Sequence, residues 1–222
     1  MADSHIPFGA IATAALAEAP NAFRMPTDAL DLYVVRSFLT ADECAAIIGL
    51  IDRDAVPSQT LGSLEDPEFR TSHTCHLDRQ HPVVAAIEQR IADLLGIPPE
   101  YGEPMQGQRY TVGQQFKAHH DYFHREEEYF ERVMAEGGQR TWTAMAFLNH
   151  VEAGGATTFP RTAIRIVPTP GNLLTWNNLG LLGEPNPETM HQAQPVERGV
   201  KYVVTKWFRE RPWGRSSEAA AA

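Results

Sequence analysis

Cysteine is nearly missing from this chain: 222 residues carry two, Cys44 and Cys75. Two thiols without Cys-x-x-Cys spacing cannot make a disulfide framework or a four-thiolate metal knot. They read as isolated buried thiols in a reducing, cytoplasmic setting. Long apolar runs are lacking too, and no window reaches the roughly 20 residues that a membrane span needs. Basic charge is in deficit, with a formal net charge of −9 and no run of Lys or Arg. That excludes a general electrostatic grip on nucleic acid. The opening stretch MADSHIPFGAIATAALAEAP has no positive n-region, so no secretory leader is expected. Residues 1–30 read as a mobile or loosely docked arm, residues 31–212 as a single domain, and residues 213–222 as a frayed tail.

What is present is a helical first half and a strand-rich second half. In SFLTADECAAIIGLIDRD, Thr40 and Glu43 have capping-box spacing, and Cys44, Ile47, Ile48 and Ile51 recur on one helical face. In HPVVAAIEQRIADLLGIPP, Pro82 suits a first turn, Val84, Ile87, Ile91, Leu94 and Leu95 form the buried stripe, and Gly96 suits the end. From residue 105 short β-rich runs alternate with Gly, Pro and Asn turns, the pattern of a sandwich or barrel. HREEEYFERVMAEGGQ interrupts them with helical spacing at Tyr129, Val133 and Met134. It reads as an acidic surface flap, with Glu126–Glu128 on a solvated face.

The chemistry concentrates in FKAHHDYFH. On a strand, alternation puts Lys117, His119 and Asp121 on one face and Phe116, His120 and Tyr122 on the other. His-x-Asp thus offers one imidazole and one carboxylate side by side, and a third ligand must come from elsewhere. His191, just before the last strong strand, is the best candidate. Two histidines and a carboxylate on one face of an ion leave open positions, as in non-haem Fe(II) oxygenases; a zinc hydrolase can use the same set, but the helical His-Glu-x-x-His pattern is absent. Lys201 shares a strand face with Val203, Thr205 and Trp207. A lysine among apolar neighbours is costly unless an anion meets it, and a dicarboxylate cosubstrate would supply that anion.

Four blocks resemble the prolyl 4-hydroxylase family of 2-oxoglutarate- and Fe(II)-dependent dioxygenases. YTVGQQFKAHHD is similar to its Tyr-x-x-Gly-x-x-aromatic-x-x-His-x-Asp motif. FLNHVEAGGATTFP is similar to its Gly-Gly-x-Thr-x-Phe-Pro segment, and HQAQPVERGVKYVVTKWF to its His-x-x-x-Pro-Val-x-x-Gly-x-Lys segment. EFRTSHTCHL resembles an upstream Arg-Thr-Ser segment. The blocks keep the family's order over most of the chain. The resemblance implies an α+β, mainly β fold: a double-stranded β-helix, or jelly roll, with the N-terminal helices packed on one side. It implies iron held by His119, Asp121 and His191, with Lys201 on the remote carboxylate of 2-oxoglutarate and the Tyr110 hydroxyl nearby. O2 is the oxidant, and ascorbate enters as a further cofactor. The implied reaction couples decarboxylation of 2-oxoglutarate to hydroxylation of an unactivated C–H, most simply of a prolyl residue in a peptide or protein.

Other residues are read more plainly. His120 and His124 are not expected to bind metal. Arg161, after the Gly-Gly turn, and His73 and His76, after the Arg-Thr-Ser block, are candidate substrate contacts. Trp207 reads as core and the glycines of EAGGATTFP as a tight turn. A hydroxylase of free amino acids or other small molecules is the alternative enzyme, and a metal-binding or oxygen-sensing module without turnover is the alternative outside enzymes. The sequence does not disclose the oligomeric state.

Overall fold

In a computed structural model, residues 8–59, 66–180 and 182–214 are described. Among the described residues four α-helices form: α1 (Phe8–Glu18), α2 (Ala41–Asp54), α3 (Pro82–Leu95) and α4 (Phe130–Gly137). The first strands are β1 (Ala22–Arg24), β2 (Leu32–Val35), β3 (Val56–Pro57), β4 (His73–His76), β5 (Gln106–Tyr110), β6 (Phe116–His119) and β7 (Arg140–Phe147). They are followed by β8 (Ala153–Gly154), β9 (Thr157–Phe159), β10 (Ile164–Ile166) and β11 (Leu173–Asn177). The last are β12 (His191–Ala193), β13 (Val196–Arg198) and β14 (Lys201–Arg209). A large sheet runs in the order β1-β2-β11-β7-β14-β5-β4-β3, a smaller one in the order β10-β9-β12-β6, and β13 pairs with β8. All the pairings between these strands are antiparallel. Two facing antiparallel sheets with helices outside one of them are the jelly roll expected from the sequence.

Period-two patterning decides what each sheet face meets. On β7 and β14, Trp142, Ala144, Ala146, Val204 and Phe208 join Ile47, Ile51, Ile87 and Ile91 of the helices in one core. Met145, Phe147 and Val203 turn the other way, into a second core with Leu32, Tyr110, Phe159, Leu174 and Trp176 between the sheets. The helix ends are as read: Thr40 and Glu43 close a capping box, and Gly96 ends α3 in the left-handed region at φ 63°. The turn at Gly154 and Gly155 also needs glycine, with φ of 73° and 66°. A Cβ on Gly154 would sit 2.4 Å from the Pro195 carbonyl oxygen.

One expectation needs correction. Residues 8–30 are not a loose arm. Phe8, Ala12 and Leu16 are all but fully buried on one side of α1. The Phe8 ring meets Tyr101 edge-on at 4.8 Å. α1 packs on α3 and β7, and β1 and β2 extend the large sheet. Small side chains make this docking close: a Cβ on Gly9 would lie 2.9 Å from Asn177 Nδ2. Residues 1–7 and 215–222 lie outside the described residues. Trp213, placed in the tail, is anchored through its backbone N–H to the Glu100 carbonyl. No helix among the described residues is long and apolar enough to cross a membrane.

Candidate metal centre and cosubstrate pocket

His119 closes β6, His191 opens β12, and the two are paired directly across the small sheet. Asp121 lies two residues beyond β6, in a bend rather than on the strand. The three side chains offer donor atoms that all lie within 4.8 Å of one another. Asp121 Oδ1 is 3.9 Å from His119 Nε2, and its Oδ2 is 3.9 Å from His191 Nε2. Both rings are held from behind. His119 Nδ1–H donates to the Lys117 carbonyl at 2.8 Å, and His191 Nδ1–H to the Thr189 carbonyl at 2.9 Å. Each Nε2 lone pair is therefore left facing the centre, as a metal ligand requires.

The carboxylate is oriented by a longer chain. Trp176 Nε1–H donates to Asn178 Oδ1 at 2.9 Å, Asn178 Nδ2–H to Thr143 Oγ1 at 2.9 Å, and Thr143 O–H to Asp121 Oδ2 at 2.7 Å. Burial alone would push the Asp121 carboxyl up. The two imidazoles, Arg140 and the Thr143 hydroxyl outweigh it and hold the group below the usual carboxylate range. Burial, followed by the proximity of His191, pushes His119 down to about 3, so its imidazole is neutral. An anionic carboxylate and two imidazoles whose Nε2 atoms face it form a fitting donor set for a divalent iron ion.

Strict alternation fails at one informative place. His191 pairs with His119 but Ala193 pairs with Phe116, so β6 carries one extra residue against β12. This β-bulge brings Phe116 round to the His119 side, where the two rings stack with centroids 3.5 Å apart. Lys117 turns outward to Asp66 at 2.7 Å instead of sharing the His119 face.

Lys201 sits across from this centre, at the start of β14. It pairs with Tyr110 across the large sheet, which puts both side chains on the inner face. Its side chain is 1% exposed. The only hydrogen bond its ammonium makes among the described residues is a long one, 3.3 Å, to Thr157 Oγ1, and no carboxylate is within ion-pair reach. Burial pushes it down to about 7. Lys206, on the opposite face of the same strand, is equally buried but meets Glu88 at 2.8 Å. Lys201 is thus a buried amine without an anionic partner among the described residues. It lines one inner cavity together with His119, Asp121, His191, Tyr110, Gln108 and Thr157. That cavity encloses ≈ 30 Å³.

Three of the four sequence blocks, all but EFRTSHTCHL, fall within residues 105–209, which match a 2OG-Fe(II) oxygenase superfamily model. Probable prolyl 4-hydroxylase 8 of Arabidopsis thaliana is 32% identical over 200 residues, covering 79% of this chain and 67% of that protein. This chain belongs to the prolyl 4-hydroxylase family of 2-oxoglutarate- and Fe(II)-dependent oxygenases. The fold agrees. A viral collagen prolyl hydroxylase from Paramecium bursaria Chlorella virus-1 superposes with a TM-score of 0.64 at 23% identity, covering 80% of this chain and 95% of that one. A Trichoplax adhaerens prolyl hydroxylase, in complex with a hypoxia inducible factor peptide fragment, gives 0.63 at 13% identity, covering 96% and 92%. Like other members of the prolyl 4-hydroxylase family, this enzyme is a dioxygenase that uses Fe(II), 2-oxoglutarate and O2.

A groove of ≈ 680 Å³ adjoins the inner cavity and shares His119, Asp121, Phe116 and Trp207 with it. Trp207, read from sequence as core, is part of the wall between the two spaces, and Arg140 lies 4.0 Å above its ring. Arg140 is locked to Glu103 by two 2.7 Å bonds, and Arg209 reaches the same carboxylate at 2.9 Å. His120 and His124 also line the groove and stay clear of the metal cluster, as expected. Of the three substrate candidates only His76 lines the groove. Arg161 stands half-exposed and bonds Glu188 at 3.4 Å. His73 pairs with Arg109 on the helix-side face of β4, so it turns away from the groove, whereas Thr74 and His76 face inward beside Gln108 and Gln106. Sequence reasoning passed over Arg70, Glu103, Gln106, Gln108, Arg140 and Thr143. Arg70 was legible within the Arg-Thr-Ser block; the others carry no local signal.

Proposed function

We propose that this enzyme hydroxylates prolyl residues within a peptide or protein, with Fe(II) held by His119, Asp121 and His191 and 2-oxoglutarate reaching from the ion to Lys201. One observation carries the cosubstrate assignment: a fully buried lysine amine with no carboxylate partner among the described residues shares a cavity with the three ligands. Bound there, the ion, keto acid and O2 together supply the oxidising power to replace C–H by C–OH, with succinate and CO2 as the other products. The chain's own groups do the rest. Lys201 pairs with the remote carboxylate, and Tyr110, whose ring lies 5.4 Å from the ammonium, offers its hydroxyl beside it. Phe147, Val203 and Trp207 keep the wall apolar, so that these charges interact without competing water. Thr143 fixes which oxygen of Asp121 faces the ion.

The size of the groove favours a peptide over a free amino acid. A single amino acid would fill a small part of ≈ 680 Å³. The relatives' names as prolyl 4-hydroxylases, and the peptide in the Trichoplax complex, support the same reading. The test is incubation of proline-rich peptides and of free amino acids with Fe(II), 2-oxoglutarate and O2, followed by mass spectrometry. A one-oxygen mass gain on peptidyl proline, matched by succinate, is expected. Oxygen gained by free amino acids alone would overturn the peptide assignment.

A further inference from the structure

β5 places Gln106, Gln108 and Tyr110 two residues apart on its inner face. Gln106 lines the outer groove and not the inner cavity; Gln108 and Tyr110 line the cavity and not the groove. The three side chains and Arg70 form one hydrogen-bond chain between the two spaces. Tyr110 O–H donates to Gln108 Oε1 at 3.1 Å, Gln108 Nε2–H to Gln106 Oε1 at 3.0 Å, and Arg70 Nη2–H to the same oxygen at 2.8 Å. Gln108 and Tyr110 are 5% and 2% exposed, so water cannot replace a lost partner.

The polarity of this chain is forced from one end. A guanidinium only donates, so Gln106 must show Arg70 its oxygen. Gln108 must then show Gln106 its amide N–H, which leaves its own oxygen toward Tyr110, and the tyrosine must donate. Arg70, in the groove, thereby sets where the Tyr110 proton points. Arg70 itself has no carboxylate partner among the described residues. Besides Gln106 it reaches the Thr74 and Ser72 hydroxyls, the Gln59 carbonyl and the Phe116 ring face.

Cosubstrate binding, on the reading proposed above, reverses that polarity. Tyr110 has one proton. Once it donates to an incoming carboxylate, the Gln108 oxygen is left buried without a donor. Turning the Gln108 amide over restores a bond, from its Nε2–H to the Tyr110 oxygen, and presents its oxygen to Gln106 and Thr205. Gln106 must turn as well to avoid two facing oxygens, and it then shows Arg70 a donor instead of an acceptor. We propose that Gln106 and Gln108 form a two-state amide relay: 2-oxoglutarate flips it, and the flip releases Arg70 into the substrate groove. Gln108 is a positioning residue here, and the reach of the effect is contact by contact along β5. Gln108 and Tyr110 both line the inner cavity that the cosubstrate would enter.

The relay predicts a result that simple charge attraction does not. In the observed state Arg70 holds the chain in the polarity that 2-oxoglutarate must reverse. Arg70→Met should therefore tighten 2-oxoglutarate binding, by about fivefold, although it removes a nearby positive charge. The measurement is calorimetric titration of 2-oxoglutarate into the full chain loaded with Zn(II), which is redox-silent. In a Gln108→Leu background, and again in Gln106→Met, the Arg70→Met effect should vanish. The side-chain amide NMR signals of Gln106 and Gln108 should shift when 2-oxoglutarate is added to the Zn(II) protein. Weaker or unchanged binding in Arg70→Met, or an equal effect with and without Gln108, overturns the relay. Lys201→Met is the control for the underlying reading: if it binds 2-oxoglutarate normally, the pocket assignment itself fails.

Discussion

Lys201→Met should make the metal-free protein more stable while destroying its cosubstrate site. Methionine fills a similar volume among Tyr110, Phe147 and Val203 without a charge. The native lysine falls from its ordinary 10.5 to about 7 on burial. Between those two values the unfolded chain binds a proton that the folded chain has released, so stability rises with pH through that window. The penalty is largest below pH 7 and disappears above 10.5. At pH 8 it amounts to about 3 kcal/mol, growing to ~5 kcal/mol below pH 6. Loss of the long bond to Thr157 and of the distant contacts with the Tyr110 and Phe147 rings removes about 1 kcal/mol of favourable interaction. The net gain at pH 8 is then about 2 kcal/mol, or a rise in Tm of roughly 4–8 °C for a chain of this size. Urea unfolding of both proteins at pH 6, 8 and 9.5 isolates the lysine, since every other group is common to both. The stability gap should shrink as pH rises, and calorimetry with Zn(II) should show 2-oxoglutarate affinity lost by a hundredfold or so. A gap that is independent of pH, or a variant less stable than the parent at every pH, would refute the claim that Lys201 is a buried amine without an anionic partner.

Two further substitutions test other parts of the molecule. Thr143→Val removes the donor to Asp121 Oδ2 and strands the Asn178 amide; metal affinity should fall about 10- to 100-fold, measured by Mn(II) titration, and an unchanged affinity would show that the Asp121 carboxylate needs no orienting partner. Leu16→Ala, on a helix that sequence patterning left as a loose arm, should cost about 2–5 kcal/mol in urea unfolding, because Leu16 is 1% exposed; a loss within experimental error would restore the arm.

The extent of the misreading at α1 is instructive. Phe8, Ala12 and Leu16 recur at i, i+4 and i+8, a helical stripe, but each turn buries a single side chain and the middle one is only an alanine. Such a stripe is worth burying only against a surface shaped to receive it closely. That surface is made by α3 and β7, far away in the chain. Arg161 and His73 show the same limit for site residues. Each sits beside a matching block, yet His73 falls on the wrong face of β4, and Arg161 is occupied by Glu188.

By itself, the sequence determined the facts that depend on neighbours along the chain. These are the capped helices, the inward face of β14 with Lys201, Val203, Thr205 and Trp207, and the spacing of the ligand-bearing blocks. Local sterics and period-two alternation act over a few residues, so they can be read from a few residues. Tertiary structure alone decided the rest. It introduced the bulge that swings Phe116 onto His119, the chain from Trp176 to Asp121, the glutamine ladder from Tyr110 to Arg70, and the absence, among the described residues, of any carboxylate paired with Lys201. Each of these depends on which strands become neighbours, and hydrogen-bond partners across a sheet leave no mark in the spacing of either strand.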